Sequence, residues 1–573
     1  MKSIHALLII LLSPFCCLQA AQPNVIVIIT DDMGFSDIGP YGGEIATPNL
    51  DKLAAGGVKF SQFYNCAKCE PSRASLLTGQ QFWTKNPNVA VRKDTPNMGE
   101  VLRQAGYRNA MVGKWHVDGN PFQRGFDRHF GFMGGGTNSF RGDDSFTLDG
   151  KPWPVPEKDF YVTTALTDYA VKFIREEKQA HPDQPFFMYL AYNAPHASIQ
   201  APAAEVAKYR GKYLKGWDVL RSERFEKQQS LGLAGPGWNF PVRPANLPAW
   251  DSLDAKSQDF EDLRMATYAA MVDCVDQGVG RVMQTLDELK LRENTLVIFL
   301  NDNGASQNDR VRRGEFGTPR ANWNVGLGWA VASTTPFKFY KRSQHNGGIT
   351  TPFIAHWPAG IAPRAKYEDQ ACHLIDMIPT LLDVAGGKYP ADFGGKQHPP
   401  LPGRSFLPIL TKAETLPART LHFSLFNNLA LIHGGWKIAT SYGQPWQLYD
   451  LTNDRTETRD LAAAQPEKLA ELLALQKEFS AQPDVGLRLS EGEPEPEYAP
   501  PFRPDGTNGP GSNEDVADAA LTYLLTKERA AGRQLSEAEI SSIKAQAAKT
   551  PNAGRKKKAA KAQKGSEGQR LKN

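Results

Sequence analysis

The chain has 573 residues, of which 41% are hydrophobic and 22% are charged, so it is long enough to bury a large core. Its formal net charge of +4 is misleading, because residues 555–573 alone hold eight Lys or Arg against one Glu, which leaves the rest of the chain slightly acidic. The main body therefore has no basic surface of the kind that binds nucleic acid, and we expect no nucleic-acid partner.

The N-terminus has the pattern of an export signal. Lys2 precedes the short apolar run ALLIILL (6–12), and small residues suitable for cleavage follow at Ala20 and Ala21. We predict a signal peptide at residues 1–20 and a periplasmic or extracellular protein, with a retained anchor as the alternative. No later segment approaches the ~18 apolar residues that a bilayer span needs, so we expect no stable membrane span.

Five continuous apolar runs predict strands of a parallel sheet, because strands buried on both faces do not alternate in polarity. They are NVIVIIT (24–30), NAMVG (109–113), FFMYLAY (186–192), TLVIFL (295–300) and PFIAHW (352–357). Helical spacing lies between them, most clearly from Met265 to Leu289. Strands that alternate with helices predict an α/β fold with a mainly parallel sheet.

The pattern changes near Arg419, where short strand-like pieces alternate with turns and the helical pattern PEKLAELLALQKEF (466–479) follows. This change predicts a smaller C-terminal antiparallel-sheet-plus-helix domain. The predicted organisation is a main domain at 21–415, a small α+β subdomain at 416–482, a Pro/Gly-rich linker at 483–512, and a helix-prone segment with a basic disordered tail at 513–573.

Polar residues follow four of the predicted strands. In chain order they are Asp31 and Asp32, then Lys114 and His116, then His196, then Asp302 and Asn303. Ligands of open α/β sheets bind at the carboxyl ends of the strands, so we expect these side chains to converge on one crevice.

The three carboxylates in this set would repel one another. A charged pair ~4 Å apart costs about 1 kcal/mol in water and about 4 kcal/mol at an effective dielectric constant near 20. A bound cation would offset that cost, and oxygen donors favour Ca²⁺ or Mg²⁺ over zinc. A helix cap or solvated turn is the alternative for Asp31 and Asp32 alone, and the second acidic strand end favours the metal.

The stretch CAKCEPSRASLLTG (66–79) predicts a short helix, because Pro71 suits a first turn and Gly79 suits a stop. Cys69 would then lie at the helix N-terminus, whose partial positive charge suits an anion, and Arg73 would lie one turn further on. A zinc site lacks a second cysteine pair, and a redox dithiol leaves the Pro-Ser-Arg sequence unexplained. A disulfide between Cys274 and Cys372 remains open.

The stretch CEPSRASLLTG resembles the signature of the type I sulfatases, Cys-x-Pro-Ser-Arg-x-x-x-Leu-Thr-Gly, at every fixed position. GKWH, NAPH, LVIFLNDNG and TPFKFYKRSQHNGGITTPFIAHWPAGI also resemble sulfatase segments, in the family's order, over about residues 24–480. Within the family, GWDVLRSERFEKQQSLG and MATYAAMVDCVDQGVGR resemble bacterial arylsulfatases most. The resemblance implies an alkaline-phosphatase-like fold, a sheet sandwiched by helices, with residues 21–415 as the sulfatase catalytic domain.

The resemblance also implies a mechanism. A separate formylglycine-generating or anaerobic maturase would convert Cys69 to Cα-formylglycine, whose aldehyde hydrates to a geminal diol. One hydroxyl would attack the sulfur of an aryl sulfate or sulfated carbohydrate and expel the alcohol. The second hydroxyl would then lose its proton and release sulfate, so that one hard step becomes two easier ones.

Each matched position carries an implied role. One calcium ion would be bound by Asp31, Asp32, Asp302, Asn303 and the formylglycine formed from Cys69. The implied catalytic groups are Cys69, which becomes the nucleophile, and Arg73 and Lys114, which hold the diol. His116 is implied as the base that helps to collapse the diol, and His196 and Lys341 as the groups that bind sulfate and assist the leaving oxygen.

One departure from the family pattern is Asn346, which stands where Glu is common. Two alternative functions also fit the sequence. One is a phosphonate or phosphodiester hydrolase of the same superfamily, and the other is a non-catalytic carbohydrate-binding relative that retains the fold.

Overall fold

The computed structural model describes residues 22–82, 95–309, 311–312, 318, 320–397, 400–426, 428–441, 444–481 and 536. The predicted signal peptide and linker lie outside the described residues, as does all of the predicted tail segment except Ser536. Among the described helices, none combines the length and the apolar character that a membrane crossing requires.

The strands of the described chain are numbered in chain order. They are β1 (Asn24–Thr30), β2 (Val58–Tyr64), β3 (Arg108–Lys114), β4 (Arg128–Phe132), β5 (Thr147–Leu148), β6 (Lys151–Pro152), β7 (Phe186–Ala191), β8 (Thr295–Asn301), β9 (Val311–Arg312), β10 (Asn322–Trp323), β11 (Thr350–His356), β12 (Cys372–His373), β13 (Asp392–Phe393), β14 (Lys396–Gln397), β15 (Thr420–Leu425), β16 (Asn428–His433), β17 (Trp436–Thr440) and β18 (Gln447–Asp450).

The α-helices are numbered in the same way. They are α1 (Pro48–Ala55), α2 (Cys69–Thr78), α3 (Met98–Gln104), α4 (Val162–Ala180), α5 (Ala203–Ala207), α6 (Gly216–Ser230), α7 (Ala255–Glu288), α8 (Leu327–Ser333), α9 (Asn346–Ile349), α10 (Met377–Ala385), α11 (Leu407–Lys412) and α12 (Pro466–Ser480).

One large sheet of ten strands forms the centre of the molecule, in the order β12-β2-β11-β8-β1-β7-β3-β4-β5-β6. The five strands β8, β1, β7, β3 and β4 run parallel to one another. The sheet is mixed, because β11 runs antiparallel to both of its neighbours, β2 and β8. The prediction of an α/β fold is therefore confirmed, but the prediction that residues 352–357 form a parallel strand is wrong.

The two faces of the large sheet bury separate apolar clusters. Along β1, Ile26 and Ile28 belong to one cluster, whereas Val25, Val27 and Ile29 belong to the other. Helices α1, α4 and α7 contribute to the first cluster, and α2, α3 and α10 contribute to the second. Because each strand is covered on both faces, its residues are apolar at successive positions rather than at alternate ones.

A smaller sheet lies C-terminal to the large one and consists of β15, β16, β17 and β18, each antiparallel to the next. One face of this sheet packs on Tyr64, Ala67 and Ile349 of the main domain. The other face packs on α12 through Leu472. The predicted antiparallel-sheet-plus-helix domain is confirmed, while its sequence boundaries at 416 and 482 stay predictions.

Candidate active site

The carboxyl ends of four adjacent parallel strands bring the polar residues of the sequence motifs together. Asp31 follows β1 directly, Lys114 ends β3, and Asp302 follows β8 directly. His196 follows β7 after a short turn. Since β8, β1, β7 and β3 are neighbours in that order, all four groups lie at one edge of the sheet.

The antiparallel direction of β11 supplies a further group to the same edge. A strand that runs opposite to its neighbours begins where they end, so the segment before β11 lies beside the carboxyl ends of β8 and β1. Lys341 belongs to that segment, and its Nζ reaches Asp32 and lies 4.0 Å from Cys69 Sγ. The wrongly predicted strand direction therefore matters for the site, because a parallel strand would place Lys341 at the opposite edge.

Cys69 is the first residue of α2, as the sequence predicts, and only 4% of its surface is exposed. The preceding Lys68 is extended and accepts the first helical hydrogen bond from Ser72 N–H at 3.0 Å. The helix stops at Gly79, whose φ of 67° is left-handed and open to glycine at little cost. The side chain at position 69 thus lies at the positive end of a buried helix.

Three buried carboxylates face three buried cations at this edge. Arg73 donates from Nε to Asp302 Oδ2 at 3.0 Å and from Nη1 to the Lys114 carbonyl oxygen at 3.2 Å. Lys114 Nζ contacts Asp31, and the Nζ of Lys341 contacts Asp32. Such pairs are costly to bury and costly to break, so each side chain is held firmly in its place.

The charges divide the carboxylates by their pKa values. Burial by itself disfavours the charged form of Asp31, but Lys114, His196 and Arg73 outweigh it and hold the pKa of Asp31 below its ordinary value. Burial, followed by the charge of Asp31, raises the pKa of Asp302 above its ordinary value. The negative charge of Asp302 is thus disfavoured in this site, and an additional bound cation would stabilise it.

Two oxygen atoms in this cluster fit a metal ion. Asp31 Oδ1 and Asn303 Oδ1 are buried and have no hydrogen-bond partner among the described residues. The amide nitrogen of Asn303 donates to Asp32 Oδ1 at 2.7 Å, which turns its oxygen the other way. Buried acceptors without donors are the ligands that a hard cation such as Ca²⁺ satisfies.

The acidic grouping differs from the predicted ligand set, because it includes His196 and does not include Asp302 or Cys69. Asp31, Asp32 and His196 each offer one ligand atom, and these three atoms lie within 4.8 Å of one another. In the part of the chain that the structure describes, this is the one group of His, Cys, Asp or Glu side chains that is close enough to share an ion. Asp302 instead directs Oδ2 to Arg73 and accepts from Asp32 N–H at 3.4 Å. The two sets overlap at Asp31 and Asp32.

The two histidines face the same crevice from different strands. His196 Nε2 lies 3.7 Å from Asp32 Oδ2, and its Nδ1 contacts the Ala197 carbonyl oxygen. His116 adopts a left-handed backbone with φ of 54°, and its Nδ1 is buried without a hydrogen-bond partner among the described residues. Burial, assisted by Lys114 and Arg73, lowers the pKa of His116 to about 2, which keeps the ring neutral.

A glycine run after β4 packs against both histidines, and sequence reasoning did not identify it. A Cβ atom on Gly135 would lie 2.7 Å from His116 Nε2, and one on Gly136 would lie 3.0 Å from His196 Cε1. A Cβ at either position would press on an imidazole ring, so glycine suits this close approach of the backbone. The run MGGG (133–136) directly after a strand is the signal that would have pointed to this loop.

Asn346, the departure from the family pattern, lies in the interface with the small sheet. Its side chain is fully buried, accepts a hydrogen bond from Lys437 Nζ at 2.9 Å and donates to the Arg455 carbonyl oxygen at 2.8 Å. Its backbone N–H donates to Glu457 Oε2 at 2.8 Å. These contacts make Asn346 part of the domain junction.

The four described cysteines, which include Cys274 and Cys372, are all free thiols. Cys66 Sγ contacts Ser75 Oγ at 3.3 Å and is not bonded to Cys69. Among the described cysteines, the structure therefore contains neither a Cys274–Cys372 bridge nor a disulfide between Cys66 and Cys69.

Comparison with known proteins decides the family. The sulfatase family model matches residues 23–387, which is more than half of the chain. The chain belongs to the sulfatase family. A second model, the C-terminal region of N-sulphoglucosamine sulphohydrolase, matches residues 337–482 and covers the small sheet. The predicted membership is thus confirmed, and this sulfatase is an enzyme of the sulfuric ester hydrolase class.

Individual relatives agree with the family model. An uncharacterized sulfatase of Schizosaccharomyces pombe is 30% identical over 526 residues, which cover 82% of this chain and 95% of the relative. The arylsulfatase of Klebsiella aerogenes is 32% identical over 418 residues, which cover 64% of this chain and 88% of the relative.

Solved structures share the fold. The crystal structure of Ps i-CgsB superposes with a TM-score of 0.60 at 27% identity, covering 80% of this chain and 93% of that one. The same protein has also been solved in complex with k-i-k-neocarrahexaose. The expected alkaline-phosphatase-like fold with its smaller C-terminal sheet is confirmed.

Proposed function

We propose that this sulfatase hydrolyses sulfate monoesters with Cα-formylglycine, formed from Cys69, as the nucleophilic residue, and with one Ca²⁺ held by Asp31, Asp32, Asp302, Asn303 and residue 69. The observation that supports this proposal most strongly is the position of Cys69. Its side chain starts a buried helix, beside Lys341 and at the edge where the three carboxylates collect.

The modified side chain and the metal supply the chemistry that the unmodified chain lacks: the hydrated aldehyde provides a hydroxyl nucleophile, and the divalent cation provides Lewis acidity against the growing negative charge. Asp31 Oδ1 and Asn303 Oδ1 are the buried oxygens that need a partner. Residue 69, Asp32 and Asp302 complete the proposed set.

The cations of the chain would bind and stabilise the anionic substrate. Arg73 is fixed by Asp302 and by the Lys114 carbonyl oxygen, so its guanidinium is held in one orientation at the strand ends. Lys114 and Lys341 place two ammonium groups on the flanks of the site. Fixed positive charges in a buried site stabilise the transition state of sulfate transfer more than water does, because they need no reorganisation.

The histidines would move protons. The neutral ring of His116 has a buried Nδ1 without a hydrogen-bond partner among the described residues, and we propose this nitrogen as the acceptor of the proton that the diol loses. His196 lies beside Asp32 at the rim of the site, and 21% of its side chain is exposed. That position suits contact with the oxygen that leaves with the alcohol.

The relatives suggest two substrate classes for this chain. The Klebsiella relative is an arylsulfatase, and Ps i-CgsB has been solved with a carrahexaose bound. We propose an aryl sulfate or a sulfated carbohydrate as the substrate of this chain. We also propose export, from the apolar pattern at residues 6–12, and dependence on a maturase that oxidises Cys69.

The test is hydrolysis of an aryl sulfate, an aryl phosphate, an aryl phosphonate and a panel of sulfated saccharides by the matured protein. We expect release of inorganic sulfate to exceed turnover of the phosphorus esters. Faster turnover of the phosphonate or phosphate would favour a phosphonate or phosphodiester hydrolase. No turnover of any ester would favour a non-catalytic carbohydrate-binding protein.

The variants Cys69→Ala and Asp302→Ala should abolish turnover. Cys66→Ala is the matched control, because it removes a thiol three residues away that contacts Ser75 rather than the charged cluster. Full activity in Cys69→Ala, or equal losses in Cys66→Ala and Cys69→Ala, would contradict the proposed nucleophile.

A further inference from the structure

The segment that carries two of the proposed calcium ligands rests on a buried polar network. We call residues 31–37 the metal loop. Tyr268, from the long helix α7, donates its hydroxyl hydrogen to Asp37 Oδ2 at 2.6 Å. The same hydroxyl accepts from Gly34 N–H at 3.3 Å and lies 3.3 Å from the Asp32 carbonyl oxygen. One phenol thus contacts the metal loop at three points.

Arg224, from α6, holds the other side of the same carboxylate. Its Nη1 donates to Asp37 Oδ1 at 2.7 Å and to Ser36 Oγ at 3.0 Å. Its Nε donates to Glu44 Oε2 at 2.8 Å. Asp37 is fully buried between these two side chains. The metal loop is therefore held by α6 and α7, neither of which contains a residue of the proposed ligand set.

The metal loop needs this support because its backbone is unusual. Asp32 has a φ of 64°, a left-handed conformation that a residue with a Cβ adopts only when its surroundings fix it. Gly34 is pressed so closely on α8 that a Cβ there would lie 2.3 Å from the Ser333 carbonyl oxygen. A small shift of the loop would move both Asp31 and Asp32.

We propose that Tyr268 is a positioning residue for the metal: through Asp37 and the backbone of Asp32 and Gly34, its hydroxyl holds the carboxylates of Asp31 and Asp32 in the geometry that binds Ca²⁺. This inference rests on the calcium site of the proposed function. Groups that orient metal ligands commonly change metal affinity by 10–100-fold when they are removed.

The experiment compares Tyr268→Phe with Tyr209→Phe. Tyr209 is a matched control, because it is equally buried, donates to Asp273 Oδ2 at 2.9 Å and accepts from Ala46 N–H at 3.3 Å. Neither of these partners belongs to the metal loop. Each protein is freed of metal with a chelator and titrated with Ca²⁺. Affinity is read by calorimetry and by the rise in melting temperature, neither of which requires turnover.

We expect calcium affinity to fall about 10–100-fold in Tyr268→Phe and to stay within about twofold of the wild type in Tyr209→Phe. Equal affinity in wild type and Tyr268→Phe would overturn the role of Tyr268 alone. A wild-type protein that binds no Ca²⁺ would instead overturn the proposed metal. If Tyr268→Phe does not fold, the pair Asp37→Asn and Asp273→Asn repeats the comparison from the carboxylate side, with the same outcomes.

Discussion

At the scale of single residues, the site is a balance of buried charge. Asp31, Asp32 and Asp302 meet Arg73 and two lysines at the strand ends. Lys341 differs from the other cations because it also approaches Cys69 Sγ, at 4.0 Å. It is therefore the cation best placed to act on both the nucleophile and the bound ester.

Replacement of Lys341 by Met should lower kcat by about 10²–10³, the loss that follows removal of one group that stabilises transition-state charge. The control is Lys338→Met, because Lys338 lies on the same segment but contacts the Tyr449 hydroxyl of the small sheet at 3.2 Å. Steady-state kinetics with an aryl sulfate measure both variants. Similar losses in the two would show that a lysine in this segment matters only for folding.

The convergence of Asp31, Lys114 and Asp302 was predictable from sequence, because each of them lies where an apolar run ends. The position of Asp31 or Asp302 at a strand end depends only on where the run stops, and the convergence follows from the parallel sheet. Tyr268 was not predictable as a contact of the metal loop, because it occupies an apolar position in the periodic pattern of α7, and a buried phenol there reads as part of the core.

At the scale of elements, β11 and the loop after β4 complete the site. A continuous apolar run predicts that β11 is buried on both faces, but it carries no information on strand direction, which depends on the path of the connecting chain. The loop of Gly135 and Gly136 is similar. Its glycines are visible in the sequence, whereas the imidazoles that contact them follow β3 and β7, and only the fold brings those rings to this loop.

Substitution of Gly135 by Ala should displace the ring of His116, because the added methyl group would lie 2.7 Å from Nε2. A displacement near 1 Å in a catalytic group costs roughly 10²-fold in rate, and we expect a loss of that order in kcat. Gly134→Ala is the control, since the nearest atom to its new Cβ, the Gly136 carbonyl oxygen, lies 3.6 Å away. Comparable kcat values for the two variants would contradict the close contact with His116.

At the scale of the whole molecule, buried polar contacts join the small sheet to the main domain. Lys437 pairs with Glu457 at 2.6 Å and also reaches Asn346, which starts α9 directly before β11. His345 lies in the same junction, where its Nε2 is 2.9 Å from Gln447 Oε1 of β18. The junction therefore shares a short segment of chain with Lys341.

Acid should weaken this junction. Burial lowers the pKa of His345 from 6.5 to about 4, so the folded protein holds the ring neutral while the unfolded chain takes up a proton below pH 6.5. The neutral His345 ring contributes on the order of 3 kcal/mol at most to the free energy of unfolding. This contribution is fully present above pH 6.5 and is lost as the pH falls toward 4. Denaturant unfolding at several pH values should show a shallower loss for His345→Gln than for the wild type. His181→Gln is the control. If the free energy of unfolding of His345→Gln fell with pH as steeply as that of the wild type and of His181→Gln, the result would contradict this account.

The account depends most on the chemical state of residue 69, and one measurement addresses it directly. Preparations made with different amounts of maturase are digested, and peptide mass spectrometry gives the fraction of residue 69 that carries an aldehyde instead of a thiol. Sulfate release per protein molecule is then measured on the same samples. We predict that turnover rises in proportion to the aldehyde fraction and vanishes with it. Equal turnover by protein that retains the Cys69 thiol would contradict the account.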